Sequence, residues 1–262
     1  MKILFIGDVV ASPGRHIVKQ KLPYLLNEYE IDFTIINGEN LTGGAGINKK
    51  SLHELADMGV DCFTMGNHMW DNADIFTFIE QERRLVRPAN FKQSLPGEVY
   101  RIYTLPAGEK LAVTNVVGQV YMPPADCPFA AMKRVLQEVR EITPFIVVDI
   151  HAEATSEKMA LGWYLDGQVS AVLGTHTHVQ TNDARILPRG TAYLTDVGMT
   201  GPRDSVLGVD KDIIIEKMTT QLPQRFKPAC RGDLQFNGVI IELGTDGKAQ
   251  DIQLINFYEP SL

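Results

Sequence analysis

The sequence is poor in cysteine, and the cysteines it has form no recognised pattern. Cys62, Cys127 and Cys230 are the only three, they lie far apart, and no C-x-x-C pair occurs. This spacing supports neither a disulfide framework nor a zinc site built from thiolates. A metal site in this chain would therefore use histidine nitrogens and carboxylate or amide oxygens as ligands.

Long hydrophobic runs and an excess of positive charge are also missing. The start of the chain, MKILFIGD, has one lysine and an apolar stretch too short for a signal-peptide core or a membrane span. The net charge of -7 opposes adhesion to nucleic-acid backbones and anionic membranes. We expect a cytoplasmic protein with no membrane contact and no stable nucleic-acid complex. A compact anionic ligand is compatible with this charge if bound metal supplies a local cationic centre.

The first third of the chain alternates between strand and helix patterns. At 262 residues, with 44% hydrophobic and 22% charged residues, the chain has the composition of a soluble globular protein with a substantial core. Apolar runs predict strands over 2–7, 32–38 and 61–68, and helical patterns fall over 13–30, 48–59 and 71–82. Pro23 is expected to kink or split the first helix. The alternation predicts an α/β fold with a largely parallel sheet.

The rest of the chain has a different character, with more strands that pair in hairpins. Strands are predicted over 99–105, 110–118, 145–154, 170–174, 191–198, 236–244 and 251–258, and helices over 125–142 and 211–221. The first two and the last two of these strands have the turn chemistry of hairpins. With no repeat and no linker, we expect one domain over 1–262, in which two packed mixed β-sheets are flanked by helices.

Polar side chains follow five of the predicted strands at the point where each strand ends. They are Asp8, Glu39 with Asn40, Asn67 with His68, His151, and His176 with His178. Ligands gather at the carboxyl ends of strands in open α/β sheets, so these groups are expected to lie together. Two carboxylates, two carboxamides and up to four imidazoles suit metal better than acid–base catalysis alone. Iron, manganese and zinc all accept such ligands.

The pair His176 and His178 is the most informative of these groups, because the chain has only six histidines. Residues two apart in an extended backbone project from the same side, so each imidazole is predicted to face one of two neighbouring metals. Glu39 is the candidate for a bridging carboxylate. The glycine-rich stretch 43–46 lacks the lysine and the spacing of a P-loop, and we interpret it as a tight turn beside the site.

The ordered set of motifs resembles that of the calcineurin-like metallophosphoesterases, which runs D-x-H, G-D, G-N-H-[ED], H and G-H-x-H. This sequence departs from the pattern at four points: no histidine follows Asp8 in D-x-H, Glu39 replaces an aspartate, Met69 replaces the acidic residue, and Thr175 precedes His176. With GDVVASPGR, NGENLTGGAGI and TMGNHMWD, these departures are similar to the YmdB-like branch of the superfamily. The likeness covers nearly the whole chain.

The resemblance implies a four-layer metallophosphoesterase sandwich that holds two divalent metal ions, iron or manganese, with zinc as an alternative. It implies that the first ion is held by Asp8, Glu39, Asn40 and His178, with Glu39 bridging to the second. Asn67, His151 and His176 complete the second ion's ligands. Asn40 takes the place of the missing histidine, and His68 stays off the metals and faces the substrate.

The same resemblance implies a bacterial cytoplasmic phosphodiesterase that acts on cyclic nucleotides, either 2′,3′-cyclic or 3′,5′-cyclic. The expected mechanism is attack by a metal-bound hydroxide, with His68 as general acid for the leaving alkoxide. A small phosphodiester or cyclic nucleotide is therefore the expected partner. The sequence does not choose between the two isomers, nor between a monomer and a homo-oligomer.

Three other readings stay open at this point. A mononuclear hydrolase of the amidohydrolase type also uses H-x-H, but there the pair ends the first barrel strand, whereas here it lies two-thirds along the chain. A metal-dependent nucleotide-binding signalling protein with little turnover would need the same ligands but no proton donor. A structural metal site is disfavoured because such sites tend to be closed and rich in cysteine.

Overall fold

The computed structural model describes residues 1–260. The strands are β1 (Lys2–Ile6), β2 (Asp8–Val9), β3 (Phe33–Asn37), β4 (Cys62–Thr64), β5 (Tyr100–Thr104), β6 (Lys110–Val117), β7 (Phe145–His151), β8 (Ala171–Thr175), β9 (Arg185–Ile186), β10 (Ala192–Leu194), β11 (Met199–Pro202), β12 (Ser205–Val206), β13 (Val209–Asp210), β14 (Leu234–Leu243) and β15 (Ala249–Glu259). The helices are α1 (Ala11–Glu28), α2 (Lys49–Ala56), α3 (Pro128–Val139), α4 (Thr155–Leu165) and α5 (Lys211–Thr220), with a 3-10 helix at Ala73–Thr77.

Two large mixed sheets organise the molecule. The first has the order β2-β11-β14-β1-β3-β4 with β15 beside β14, and the second has the order β5-β6-β7-β8-β10-β9. The strands β1, β3 and β4 are parallel to one another, as are β6, β7, β8 and β10. The pairs β5–β6 and β14–β15 are antiparallel, as the two hairpin patterns predict.

Alternation of side chains along the strands explains why the two sheets stack. Ile3 and Phe5 of β1 lie in one apolar cluster with Val147 of β7 and Leu173 of β8, so this cluster fills the space between the sheets. Successive side chains of a strand point to opposite faces. Leu4 and Ile6 of β1 therefore face away from the second sheet. There, residues of α1 and α2 cover the first sheet, and residues of α3 and α4 cover the second.

The layers thus run helix, sheet, sheet, helix, which confirms the predicted α/β fold with two packed mixed sheets flanked by helices. No helix within residues 1–260 combines the length and the apolar character that a membrane span needs.

The predicted helix over 71–82 is wrong, because only Ala73–Thr77 forms a helix there, of the 3-10 type. Asn72 and Asp74 explain the difference. The Asn72 side chain accepts a hydrogen bond from the Asp74 N–H, and the Asp74 carboxylate accepts one from the backbone of Lys49. Short polar side chains of this kind compete with the backbone bonds of a longer helix.

Two further differences concern helices. Residue Pro23 lies inside α1 and does not split it, since α1 runs unbroken from Ala11 to Glu28. Helix α4 is absent from the sequence-based prediction. It contains Gly162, which weakens the helical signal but admits the close approach of Tyr193, whose ring would lie 2.5 Å from a Cβ at this position.

Candidate metal centre

The carboxyl ends of parallel strands from both sheets meet at one edge of the sandwich. β1 leads into Gly7 and Asp8, β3 into Glu39, and β4 into Asn67, while β7 ends at His151 and β8 is followed directly by His176. Asp8, Glu39 and His151 are almost completely buried. The structure therefore brings together the side chains that the sequence places at separate strand ends.

The Nε2 atom of His151 lies at the middle of one group of potential ligands. It is 3.0 Å from Oε1 of Glu39, 3.1 Å from Oδ1 of Asn67 and 3.0 Å from Nδ1 of His176. Ligand atoms of Glu39, His151 and His176 all lie within 4.8 Å of one another, close enough to share one ion.

A second group adjoins the first through Glu39. Oε1 of Glu39 lies 3.2 Å from Nδ2 of Asn40, and the same Asn40 nitrogen lies 3.3 Å from Nε2 of His178. Nε2 of His178 is in turn 3.8 Å from Oδ1 of Asp8. The Glu39 carboxylate therefore contacts both groups. Rotation of the Asn40 amide would exchange its nitrogen for its oxygen at the same place.

The donor chemistry of these groups fits divalent metal ions. Oδ1 of Asp8 is buried and has no hydrogen-bond partner within residues 1–260, which is costly for a carboxylate unless a cation is near. The facing nitrogens of His151 and His176 cannot both carry a proton at 3.0 Å. Imidazole, carboxylate and amide ligands without thiolate suit iron, manganese or zinc.

The pKa shifts of these side chains, taken without any metal ion, show how strongly the groups interact. Burial opposes ionisation of Glu39, but the charge and the hydrogen bond of His151 outweigh it and lower the pKa of Glu39 to about 2. Burial likewise lowers the pKa of His151, yet Glu39 outweighs it and raises that pKa to about 9. Burial and the charge of His151 lower the pKa of His176 to about 3, so His176 keeps a free lone pair. Burial raises the pKa of Asp8.

The prediction that His176 and His178 share one side of an extended segment is wrong. Their φ angles are 97° and 64°, in the left-handed region, because β8 ends at Thr175 and the chain turns there. Between them, Thr177 donates from its N–H and its hydroxyl to Oδ2 of Asp196, at 3.1 and 2.6 Å. Each imidazole nevertheless reaches the edge, His176 beside His151 and His178 beside Asn40.

A buried network behind His151 was not identified from the sequence. Nδ1 of His151 lies 2.8 Å from the hydroxyl of Thr175, and that hydroxyl donates to Oδ1 of Asp149 at 2.7 Å. Burial raises the pKa of Asp149 to about 6. The signal that could have revealed this network is an aspartate inside the apolar strand FIVVDIH, since such a residue needs polar partners.

His68 lies at the rim of the candidate centre. Its backbone N–H donates to Oε2 of Glu39 at 3.1 Å. Nδ1 of its partly exposed ring lies 2.8 Å from Oδ2 of Asp71. His68, Asn40 and His178 line a cavity of about 280 Å³. The glycines of 43–46 have positive φ angles, and Gly43 and Gly44 line the same cavity, so the stretch forms a turn beside the centre.

The four layers, together with histidine, carboxylate and amide side chains at the strand ends, define a protein of the metallophosphoesterase fold. A crystal structure of a novel phosphatase from Mycoplasma pneumoniae superimposes with a TM-score of 0.93 at 34% identity, over 100% of this chain and 94% of that one. The chain belongs to the YmdB-like protein family, whose sequence profile matches residues 4–255. The resemblance seen in the motifs is therefore confirmed.

Two further relatives are similar over nearly their full lengths. The 2′,3′-cyclic-nucleotide 2′-phosphodiesterase of Bacillus subtilis (strain 168) is 52% identical over 248 residues, 95% of this chain and 93% of that protein. A hypothetical protein from Thermus thermophilus has a crystal structure with a TM-score of 0.93 and 42% identity, covering 99% of this chain and 100% of that chain.

Proposed function

We propose that this protein is a metal-dependent phosphodiesterase that hydrolyses 2′,3′-cyclic nucleotides and also accepts 3′,5′-cyclic nucleotides. The observation that carries the proposal is the contact of His151 Nε2 with Glu39, Asn67 and His176 at 3.0–3.1 Å. The 52% identity to a 2′,3′-cyclic-nucleotide 2′-phosphodiesterase supports the substrate class. Because that likeness spans 95% of this chain, we propose one catalytic domain. We further propose that it acts in the cytoplasm, a location compatible with the likeness to a bacterial cyclic-nucleotide phosphodiesterase.

The residues that would hold two ions fall into the two groups of the centre. Asp8, Glu39, Asn40 and His178 would hold one ion, and Glu39, Asn67, His151 and His176 the other. Two divalent ions, iron or manganese with zinc as the alternative, would supply a nucleophile from water at neutral pH and stabilise charge on the phosphoryl oxygens. Shared contact of Glu39 Oε1 with His151 and Asn40 supports its role as the bridge.

His68 is proposed to protonate the leaving group. During hydrolysis a water oxygen forms a new bond to phosphorus, the bond from phosphorus to one ribose oxygen breaks, and that oxygen must gain a proton. Nδ1 of His68 is held by Asp71, which leaves Nε2 for the proton that is donated. General acid catalysis of this kind contributes about 10²–10⁴-fold to the rate.

The test uses protein purified without oxygen and reloaded with iron or manganese, assayed on 2′,3′-cAMP, 3′,5′-cAMP and a linear diester. Turnover by the wild type, with loss of both turnover and metal content in Glu39→Gln, would support the proposal. Tight nucleotide binding without turnover would favour the signalling protein instead. Full metal content and activity in Glu39→Gln would contradict the bridging role.

A comparison of leaving groups tests His68 separately. We expect His68→Ala to lose about 10²–10⁴-fold in rate on 2′,3′-cAMP, whose alkoxide needs a proton. On a p-nitrophenyl diester the loss should be much smaller, because p-nitrophenolate leaves without protonation. Equal losses on both substrates, or none on the cyclic nucleotide, would refute the role of general acid.

A further inference from the structure

The cavity beside His68, which we term the flanking cavity, joins an apolar surface to the metal centre. Asn40, His68 and His178 line its polar side, and Leu207, Phe226 and Pro228 line its apolar side. Its volume of about 280 Å³ is slightly below the range usual for small-molecule sites, roughly 300–1,000 Å³. A ligand of the size of one nucleoside suits this space better than an oligonucleotide.

The apolar side of the flanking cavity is a built surface, held by backbone hydrogen bonds. The N–H of Asp210 donates to the Lys227 carbonyl, and the N–H of Ala229 donates to the Gly208 carbonyl, both at 2.9 Å. The segment that carries Phe226 is therefore fixed to β13 and the turn before it. Gly44 also contacts this surface: its φ of 89° favours glycine, and a Cβ there would lie 3.0 Å from Cγ of Pro228.

The same surface contacts a proposed metal ligand directly. Nδ1 of His178 donates to the Leu207 carbonyl at 3.0 Å, which turns Nε2 of the same ring toward Asp8 and Asn40. Since an exposed leucine supplies that carbonyl, the wall of the cavity and the metal centre form one continuous surface.

Phe226 is the aromatic group of the flanking cavity. Its side chain is 48% exposed, and the Lys217 ammonium lies over its ring at 4.3 Å from the centroid. The ammonium occupies one face of the ring. Phe226 lines the flanking cavity and Lys217 does not, so the ring can offer its cavity side for stacking, which every nucleobase provides regardless of its hydrogen-bonding pattern.

The chemistry of a cyclic nucleotide decides on which side of the phosphate its base lies. Both ester oxygens of the cyclic phosphate belong to the same ribose, so the leaving oxygen and the base are parts of one nucleoside. The group that protonates the leaving oxygen must therefore lie on the nucleoside side. His68 lines the flanking cavity and does not line the second cavity beside the centre, which contains Asn67 and Trp70.

We propose that the flanking cavity binds the nucleoside of the substrate and that the base stacks on Phe226. This inference rests on the proposed phosphodiesterase function. Stacking tolerates all bases, so the site selects a nucleoside without strong preference among the four.

The test compares a nucleotide with a base-free substrate of the same reacting group. Wild type, Phe226→Ala, Phe226→Trp and Leu222→Ala are assayed on 2′,3′-cAMP and on glycerol 1,2-cyclic phosphate. Leu222 is the matched control, an exposed apolar residue of the same segment that does not line the cavity. We expect Phe226→Ala to raise KM for 2′,3′-cAMP by about 5–100-fold and to leave kcat/KM for the base-free diester unchanged.

Phe226→Trp keeps an aromatic ring, so its KM for 2′,3′-cAMP should stay close to that of the wild type. Leu222→Ala should also match the wild type. An unchanged KM in Phe226→Ala, or equal loss on both substrates, would overturn the proposal. So would Trp70→Ala if it alone raised the KM for the nucleotide, since the base would then lie in the second cavity.

Binding of adenosine separates this inference from the function on which it rests. Adenosine carries no phosphate, so its dissociation constant, measured by NMR titration, reports the nucleoside site without turnover. If the wild type hydrolyses no diester, the phosphodiesterase proposal fails. Weaker adenosine binding in Phe226→Ala than in Leu222→Ala would still support the nucleoside site, and equal binding would overturn it.

Discussion

His151 and Thr175 face each other on the neighbouring parallel strands β7 and β8, with Nδ1 of His151 2.8 Å from the Thr175 hydroxyl. The Thr175 hydroxyl donates a hydrogen bond to Asp149, so its oxygen accepts the hydrogen bond from the Nδ1–H of His151. With Nδ1 engaged in this way, Nε2 is the nitrogen that faces Glu39 and Asn67, and it would bind a metal ion once its own proton is lost. Groups that fix the tautomer of a histidine ligand in this way raise its affinity for metal.

Replacement of Thr175 by valine tests this relationship. Valine has nearly the same shape but no hydroxyl, so the link between His151 and Asp149 is lost. We expect Thr175→Val to weaken metal binding by about 10–100-fold. Competition with a chelator of known affinity measures the change.

Thr34→Val is the matched control for that experiment. Thr34 is also fully buried in a parallel strand, and its hydroxyl has no hydrogen-bond partner in the part of the chain that the structure describes. We expect its metal affinity to match the wild type. Equal affinities in the two valine variants would show that the Thr175 hydroxyl does not support His151.

The second prediction concerns Gly66, which precedes Asn67 at the end of β4. A Cβ at this position would lie 2.2 Å from Oε2 of Glu39 and 2.4 Å from Nε2 of His151. Gly66→Ala should therefore displace both groups and abolish tight metal binding, measured as metal content after dialysis. Circular dichroism should still show the native fold, because the clash is confined to the centre.

Gly38→Ala provides the comparison, at the end of the neighbouring strand β3. Its nearest contact would be Cδ1 of Phe63 at 3.3 Å, which a small shift of the ring relieves. Metal content close to that of the wild type is expected. Should Gly66→Ala retain a full complement of metal, Glu39 and His151 in the positions described above would not be needed for metal binding.

The polar edge of the fold was predictable because its cause is local in each strand. In β1, β3 and β7 a polar side chain lies at or just after the carboxyl end of the strand, so Asp8, Glu39 and His151 could be assigned to the same edge without knowledge of the pairing. The backbone of His176 and His178 was not predictable in this way. Their turn is held by Asp196, which lies 19 residues further along the chain and accepts two hydrogen bonds from Thr177.

The same limit explains the residues that sequence reasoning missed. Thr175 and Asp149 act through contacts between neighbouring strands, and no spacing in the sequence indicates these contacts. The failed helix over 71–82 has a related cause. Its apolar side chains, such as Ile75 and Phe78, are buried, but the side chains of Asn72 and Asp74 form hydrogen bonds to the backbone that compete with a longer helix.

The third prediction concerns the three thiols. Cys127 and Cys230 are exposed, whereas Cys62 is buried in β4 between the sheets. Burial raises the pKa of the Cys62 thiol to about 12, so it stays protonated and unreactive. Under native conditions a disulfide reagent should label two thiols per chain rapidly, and the third should react only in denaturant.

The Cys62→Ala variant identifies the slow thiol. It should show the same rapid labelling of two thiols and no further reaction on unfolding. Rapid native labelling of three thiols in the wild type would mean that the two sheets separate near Cys62 on the timescale of the experiment.

The fourth prediction concerns an ion pair beneath the loop of His176 and His178. Nζ of Lys158 lies 2.6 Å from Oδ2 of Asp196, and both side chains are almost completely buried. Replacement of the lysine by methionine keeps the length of the side chain but leaves the Asp196 charge unpaired. Loss of one partner of a buried pair costs about 3–5 kcal/mol, so Lys158→Met should lower the free energy of unfolding in urea by that amount.

Lys248→Met removes a lysine from an exposed pair, since Lys248 and Asp246 lie 3.8 Å apart and are each 61% exposed. Solvent screening limits such a pair to about 1 kcal/mol or less, so this variant should unfold nearly as the wild type does. A Lys158→Met variant as stable as Lys248→Met would mean that the hydrogen bonds from Thr177 and Gly198 satisfy the Asp196 carboxylate without the lysine. The ion pair would then have no part in holding the turn that presents His176 and His178.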